Sequence, residues 1–279
     1  MIVDCHTHVW RREHWSEELA RESVRARARP ATIDIKPEAH WEAVRPVDKA
    51  IVFGLYARHV GLVVPNDFVA QYVARHPEKL IGFASVDPNE ANCLDELRRA
   101  VDALKLRGLK LGPIYQNIHP MDQRVQPIYE YCQRHNLPIL IHQGTTFPRR
   151  APLKFASPLL LEDVALGYPN LVMVIAHLGH PWMAETIVLI RKHPNLFADV
   201  SALYYRPWQF YNGLMAAVEY GVSEKLLFGS DYPFTTPEES IQGVRGINHV
   251  VGQSGMPRIP DDVLAGILEK DTLKLLRLE

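Results

Sequence analysis

Two histidines, His6 and His8, stand one residue apart at the start of the chain, directly after a short apolar run. In an extended strand, side chains two positions apart point to the same side, so both imidazoles can converge on one point. Converging imidazole nitrogens are typical ligands of a divalent metal ion. Because the chain has thirteen histidines, such a pair also arises by chance, and further residues must support the metal hypothesis.

Three later residues supply that support, since each has a metal-binding or acid/base side chain and each follows an apolar run. His142 follows residues 137–141, His177 follows residues 171–176, and Asp231 follows residues 226–230. Together with the histidine pair, they place metal-type ligands at four separate strand ends. Histidine nitrogens with one carboxylate suit zinc, or less often iron or manganese, and leave room for a water that becomes a nucleophile near neutral pH.

Apolar runs of four to seven residues recur along the chain and are separated by amphipathic stretches, which is the pattern of βα units. Eight such runs are present, as a closed (β/α)8 barrel requires. The candidate residues all follow these runs, at the face where barrel enzymes carry their chemistry. The predicted strands are residues 2–5, 49–53, 80–86, 108–111, 138–141, 171–176, 196–200 and 225–228, and the clearest predicted helices are residues 90–106, 125–135, 158–167, 182–193 and 207–221.

Length and composition bound the class of protein. A chain of 279 residues is predicted to form one (β/α)8 domain spanning residues 1–279. The net charge of −1 gives no general attraction to nucleic acid or anionic lipid. No apolar stretch approaches the roughly 18 residues of a membrane span, and no secretory signal is recognised. We therefore expect a cytoplasmic protein that acts on a small molecule, with no nucleic-acid or membrane partner.

Two further features concern packing and the loops. Cys5, Cys93 and Cys132 are scattered and odd in number, which indicates packing residues rather than disulfides. Residues 11–47 are longer than an ordinary βα connection. Because long loops after strands gather over the mouth of a barrel, this insertion is a candidate lid or dimer contact.

Five motifs carry a family resemblance: D-C-H-T-H at 4–8, G-L-K-L-G-P at 108–113, I-L-I-H at 139–142, V-I-A-H-L-G at 174–179 and G-S-D-Y-P at 229–233. With these motifs the chain resembles the amidohydrolase superfamily, in the subgroup of aminocarboxymuconate semialdehyde decarboxylase, the resorcylate-type decarboxylases and many metal-dependent hydrolases. The resemblance runs from the first strand to the last and implies a (β/α)8 barrel that is often a homodimer.

The resemblance also implies roles for particular residues. One divalent ion, zinc before manganese or iron, is expected on His6, His8, His142 and Asp231. His177 is expected to act as an acid/base rather than a permanent ligand, with Asp231 as a second catalytic group. Asp199 either orients a ligand histidine or is a satisfied strand-end residue. His180 either caps the next helix, which Pro181 is expected to begin, or contacts substrate.

The sequence leaves several roles open for Lys110. In binuclear relatives a lysine on the fourth strand is carboxylated and bridges two metals, but the G-L-K-L context resembles the mononuclear subgroup. Contact with a substrate carboxylate, or an ion pair, is favoured over bridging. Four arginines in loops after strands are further candidates for a carboxylate clamp, and they are Arg58, Arg149, Arg150 and Arg206.

Two reactions suit this ligand set, and the sequence does not separate them. Hydrolysis by a metal-activated water on a small carboxylated cyclic or aromatic-derived substrate is the first expectation. Non-oxidative decarboxylation of an aromatic or muconate-type carboxylate is the alternative, while a hydratase or a non-catalytic metal-binding scaffold ranks below both. The H-x-H at residues 6–8 departs from the E-x-H usual in resorcylate-type decarboxylases. Aromatic residues near strand ends, including Tyr115, either hold a flat substrate or pack the barrel rim.

Overall fold

The computed structural model describes residues 1–25 and 32–279, and it contains eight parallel strands that form a barrel. Residues 26–31, part of the predicted insertion, lie outside the described residues. The third strand consists of two segments separated by Phe83. The strands are β1 (Val3–His8), β2 (Lys49–Phe53), β3 (Leu80–Gly82 and Ala84–Ser85), β4 (Leu109–Leu111), β5 (Ile139–Ile141), β6 (Met173–Ile175), β7 (Leu196–Asp199) and β8 (Leu226–Leu227).

Backbone hydrogen bonds close these strands into a ring. Each strand pairs in parallel with its neighbour in sequence from β1 to β8, and Phe83 continues the pairing across the break in β3 by donating its amide to Val52 at 2.9 Å. The ring closes where Cys5 N–H donates to the Phe228 carbonyl at 3.0 Å and Asp231 N–H donates to the His6 carbonyl at 2.8 Å. The predicted (β/α)8 barrel is confirmed.

Strand β1 differs from its prediction in a way that matters for the site. It extends to His8, so both histidines lie within the strand rather than beyond it. Its register against β2 shifts between Asp4 and Thr7, where β1 contains one more residue than its partner. A bulge of this kind re-aims side chains. Cys5 packs inside the barrel beside Phe53, as expected for a packing residue, while the neighbouring His6 reaches the mouth.

The helices lie around the barrel, and the predicted ones are shorter at their ends than expected. The range predicted at 158–167 begins as a 3-10 turn, Pro158–Leu161, before it becomes α-helical. Three helices after β8 have no counterpart among the clearest sequence predictions. The α-helices are α1 (Glu17–Arg25), α2 (Pro37–Ala43), α3 (Asn66–Val73), α4 (Cys93–Asp102), α5 (Pro113–Gln116), α6 (Gln126–Arg134), α7 (Glu162–Gly167), α8 (Met183–Lys192), α9 (Pro207–Glu219), α10 (Pro237–Gly246), α11 (Asp261–Glu269) and α12 (Thr272–Leu275).

The described part of the insertion packs onto the barrel mouth. It contains α1 and α2, and Trp15 forms a bridge with Leu62 in a short hairpin of Tyr56–Ala57 and Leu62–Val63. His40 of α2 is fully buried, and its Nε2 lies 2.8 Å from the Thr7 hydroxyl on β1. Because this helix is tied to the strand that carries His6 and His8, it helps to fix the position of that strand.

Apolar side chains fill the barrel on both sides of its wall. Ile51, Phe53, Leu140 and Val174 pack inside the ring, while alternate residues of the same strands face the helices. This alternation explains why the strands read as continuous apolar runs, since both faces are buried. Within the two described stretches, no helix has the length and apolar character that a bilayer crossing requires.

Candidate metal centre

Three side chains converge at the mouth of the barrel, two from the first strand, β1, and one from the loop after the last strand, β8. His6 Nε2 lies 3.2 Å from His8 Nε2, and Asp231 Oδ1 lies 3.4 Å from His6 Nε2 and 3.2 Å from His8 Nε2. Three donors on a tetrahedral metal with bonds of about 2.0–2.1 Å are separated by about 3.3–3.4 Å. The three residues therefore have the spacing of a divalent-metal site.

The hydrogen bonds of His6 also suit a metal ligand. Its Nδ1 lies 2.9 Å from Asp199 Oδ2, and because a carboxylate can only accept, Nδ1 carries the proton. Nε2 is then left with a lone pair that points at His8 and Asp231. A carboxylate behind a ligand histidine is the usual support of metal sites, because it fixes the tautomer and raises the basicity of the ligand nitrogen.

Burial keeps the imidazoles neutral. It holds the pKa of His6 and of His177 well below the ordinary value, and it lowers the pKa of His142 to about 3, with the charge of Lys110 acting in the same direction. A neutral imidazole is the form that binds a metal or accepts a proton. Near neutral pH these three histidines therefore offer lone pairs rather than positive charges.

His177 lies on a strained turn beside the group formed by His6, His8 and Asp231, which is called the metal-type cluster. Its backbone has φ 55° and ψ 32°, in the left-handed region, and its ring stacks on His6 with 4.8 Å between centroids. Nδ1 lies 2.7 Å from the Ser201 hydroxyl. Asp231 is left-handed as well, with φ 61°. Such backbone strain in non-glycine residues is concentrated at functional sites.

Lys110 projects from β4 to the base of the same cluster. Its Nζ lies 3.3 Å from His6 Nε2 and 4.8 Å from the centroid of the Phe53 ring. The side chain is 2 % exposed, and burial lowers the pKa of Lys110 to about 8. A basic group therefore stands within reach of an anionic group that an ion at these three donors would bind.

A cavity of about 380 Å³ opens above these residues. This volume is in the range of small-molecule sites, which are about 300–1,000 Å³. His8, Lys110, His142, His177 and Asp231 form its floor, and aromatic and aliphatic side chains form most of its wall. The wall residues are Trp10, Trp15, Leu55, Leu62, Tyr115, Thr145, Thr146, Phe147, His180, Ala202, Leu203, Tyr205, Arg206 and Phe234.

With the barrel and its metal-type site established, comparison with known proteins identifies the family. A family model described as amidohydrolase matches residues 3–278. The chain belongs to the amidohydrolase family. The predicted family membership is thereby confirmed, and the protein is an enzyme of that superfamily.

A curated relative and two solved structures are similar to this amidohydrolase. The relative, a 2-amino-3-carboxymuconate-6-semialdehyde decarboxylase of Dictyostelium discoideum, is 31% identical over 203 residues, which are 62% of this chain and 56% of the relative. The chain thus spans little more than half the length of that enzyme. A 5-carboxyvanillate decarboxylase from Sphingomonas paucimobilis has a TM-score of 0.69 at 17% identity and covers 100% of this chain and 99% of its own. A probable 2-pyrone-4,6-dicarboxylic acid hydrolase from Acinetobacter baumannii has a TM-score of 0.70 at 17% identity, with 99% of both chains covered.

Two more structures with this fold hold metals. A dihydroxybenzoic acid decarboxylase from Polaromonas contains manganese, and an amidohydrolase from Burkholderia multivorans contains zinc, with TM-scores of 0.64 and 0.69. At 17% and 15% identity these similarities establish the fold alone. In this amidohydrolase, His6, His8 and Asp231 are close enough to one another to hold a divalent ion.

Two other predicted site residues, His142 and Tyr115, lie at the cavity but outside the group of three donors. His142 is buried on the cavity floor with its Nε2 3.2 Å from the Thr145 carbonyl, but it is not part of the close group formed by His6, His8 and Asp231. Its role as a fourth ligand stays a prediction. Tyr115 packs its ring 4.7 Å from that of His142 and lines the cavity.

The structure corrects two sequence interpretations. Arg58 lies outside this cavity, on a 3-10 turn at the surface, where its guanidinium donates to Glu90 at 2.7 Å and to Tyr56 at 2.7 Å. Of the four candidate arginines, Arg206 is the one that lines the cavity. His180 does not cap the next helix, since α8 starts at Met183 with Trp182 as its N-cap, and it lines the cavity with its Nε2 2.5 Å from Gln209 Oε1.

Two residues of the site were missed by sequence reasoning. Ser201 joins His177 to Asp199, and Asp4 accepts from the amides of His6 and Ser230 at 3.1 and 2.9 Å. Burial raises the pKa of Asp4 to about 7. Each lies two positions from a residue of the site, where strand alternation returns a side chain to the same side. That spacing was the available signal.

Proposed function

We propose that this amidohydrolase is a metal-dependent, non-oxidative decarboxylase of an aromatic or muconate-type carboxylate. The observation that carries the proposal is the placement of neutral His177 beside the three metal donors, on the floor of a cavity whose wall consists mainly of aromatic and aliphatic side chains. A flat, partly apolar substrate suits such a wall, and an acid/base group beside the ion suits a reaction that moves one proton. The names of the curated relative and of the Sphingomonas structure support the same reaction.

His6, His8 and Asp231 would hold the ion, with His142 as the predicted fourth ligand. A divalent ion at this site supplies Lewis-acid stabilisation of negative charge on substrate oxygens. Zinc and manganese are the favoured occupants, because histidine and carboxylate donors suit both.

The residues of the chain account for the rest of the reaction. In decarboxylation the carbon–carbon bond to the carboxylate breaks, its electron pair stays on the ring or chain carbon, and a proton replaces the departing carbon dioxide. At Nε2, the ring nitrogen on the side away from Ser201, His177 would take up a proton from water and pass it to that carbon, and the hydroxide left behind would combine with the carbon dioxide as bicarbonate. Lys110 at the floor and Arg206 at the wall would bind anionic groups of the substrate.

Hydrolysis, the first expectation from the sequence, is the second candidate. Neutral His177 can take a proton from water as readily as it can carry one to carbon, and Asp231 offers a second acceptor. The relatives that carry a characterised name are more often decarboxylases than hydrolases. That balance favours decarboxylation for this chain.

The test is carbon dioxide release by protein loaded with one equivalent of zinc or manganese. The panel comprises hydroxylated benzoates and muconate-type carboxylates, and matched lactones and amides are followed in parallel by acid release. We expect carbon dioxide from at least one carboxylate, and its loss in metal-stripped protein and in His177→Asn. Opening of a lactone or amide with no carbon dioxide from any carboxylate would overturn the proposal in favour of hydrolysis.

A further inference from the structure

The hydroxyl of Ser201 lies at the centre of the hydrogen bonds behind the metal-type cluster. It contacts Asp199 Oδ1 and lies 2.7 Å from His177 Nδ1 and 3.2 Å from His6 Nδ1. Ser201 and Asp199 are both 0 % exposed, so water does not compete for these bonds. A serine hydroxyl has one proton to donate, and the direction of that donation decides which ring nitrogen of His177 carries its proton.

The neighbours of Ser201 leave one consistent arrangement. His6 Nδ1 already donates to Asp199 Oδ2, so it cannot accept from the serine. Asp199 Oδ1 is an anionic acceptor in short contact with the hydroxyl, and hydrogen bonds to charged acceptors are the stronger ones. The serine proton therefore goes to Asp199. Ser201 Oγ must then accept from His177, which requires the proton of neutral His177 to lie on Nδ1.

The backbone holds this arrangement in place. Asp199 Oδ1 also accepts from the amides of His177 and Ser201, each at 3.0 Å. One carboxylate oxygen thus fixes the main chain of both residues and the side chain of Ser201. His177 is restrained at its amide, at its Nδ1 and by stacking on His6.

We propose that Ser201 is a positioning residue that passes the orienting effect of Asp199 to His177 and keeps Nε2 as its proton-accepting nitrogen. The proposal rests on the acid/base role of His177 given above, and it adds how that role is set. Asp199 then orients two histidines at once, a metal ligand directly and the acid/base through one serine hydroxyl. Ser201 acts through hydrogen bonds alone, and no covalent bond to it forms or breaks.

The test is nitrogen NMR of histidine side chains in ¹⁵N-histidine protein, both metal-free and loaded with diamagnetic zinc. Long-range proton–nitrogen spectra report which ring nitrogen carries the proton, and the His177 signals are those that vanish in His177→Asn. We expect protonated Nδ1 in the natural protein and loss of that preference in Ser201→Ala. Ser201→Thr, which keeps the hydroxyl, should restore it.

Turnover and metal content are measured on the same variants. Loss of this support should lower kcat by about 10–100-fold, the usual effect of removing an orienting partner, with metal content retained in Ser201→Ala. Ser23→Ala is the matched control, because it removes a buried hydroxyl bonded to the Ala20 carbonyl in α1. An unchanged Nδ1 proton in Ser201→Ala would overturn the proposal, whatever the turnover. Since the NMR needs no substrate, this outcome is independent of whether the enzyme is a decarboxylase.

Discussion

The Nδ1 of His6 and the Oδ2 of Asp199 lie 2.9 Å apart, although 193 residues separate them in the chain. Both side chains are fully buried, and the bond directs the Nε2 lone pair of His6 towards His8 and Asp231. Strands β1 and β7 are not neighbours in the barrel, and this contact joins them across the end of β8, which lies between them. It joins the metal-type cluster to the residues around His177.

Replacing Asp199 by asparagine should weaken metal binding more than it alters the fold. The amide has almost the same shape but lacks the charge that raises the basicity of His6. We expect metal affinity to fall by about 10–100-fold, measured by competition with a fluorescent zinc chelator. A circular dichroism spectrum equal to that of the natural protein is the control. Unaltered affinity in Asp199→Asn would show that the carboxylate does not support the ligand.

His8→Ala should lower metal content several-fold, because it removes one of the three donors within 3.4 Å of one another. Elemental analysis after dialysis against metal-free buffer measures the change. His249→Ala, at an exposed position of the 3-10 turn Ile247–Val250, is the matched control and should keep the natural content. Full metal retention by His8→Ala would contradict the assignment of the site.

Arg206 and Arg58 give a paired test of substrate binding. Arg206 lines the cavity, while Arg58 lies outside it in an ion pair with Glu90. Loss of a hydrogen bond to a charged group is worth about 1.5–3 kcal/mol, so Arg206→Ala should raise KM by about 10–100-fold. Arg58→Ala should leave KM unchanged. Equal effects of the two variants on the carboxylate that turns over best would remove Arg206 from the site.

His40 should make the protein less stable as the pH falls. Burial between Thr7 and Tyr72 lowers its pKa from 6.5 to about 3. Between these values the unfolded chain binds a proton at His40 and the native protein does not, so acid favours unfolding there. The free energy of unfolding should therefore fall with pH below 6.5, by about 1.4 kcal/mol per pH unit from this residue.

Urea unfolding of the metal-free protein at about pH 7.5, 6 and 5 measures the slope of the free energy of unfolding against pH. His40→Gln should have the smaller slope, because glutamine has no proton to gain. His135→Gln, at an exposed position, should keep the natural slope. Identical slopes for His40→Gln and the natural protein would mean that the helix α2 opens and releases His40 before the protein unfolds.

Local pattern was sufficient for the barrel and for the types of residue at its mouth. Strands buried on both faces read as apolar runs, and the ends of parallel strands meet at one face, so His6, His8, His142, His177 and Asp231 are recognisable from their positions. The pairing of His6 with His8 follows from strand periodicity alone. The same rule does not reveal the bulge in β1, because the extra residue is defined only against β2.

The partners of those residues were decided by the tertiary structure. Which arginine faces the cavity depends on the turn after β2 and on the start of α9, and nothing near Arg58 or Arg206 in the sequence specifies either. The bond from Asp199 to His6 joins strands at opposite ends of the chain, and the bond from Ser201 to His177 joins the ends of the paired strands β7 and β6. Sequence periodicity sets the side to which a side chain points, whereas barrel closure sets which side chains meet, and closure is a property of all eight strands together.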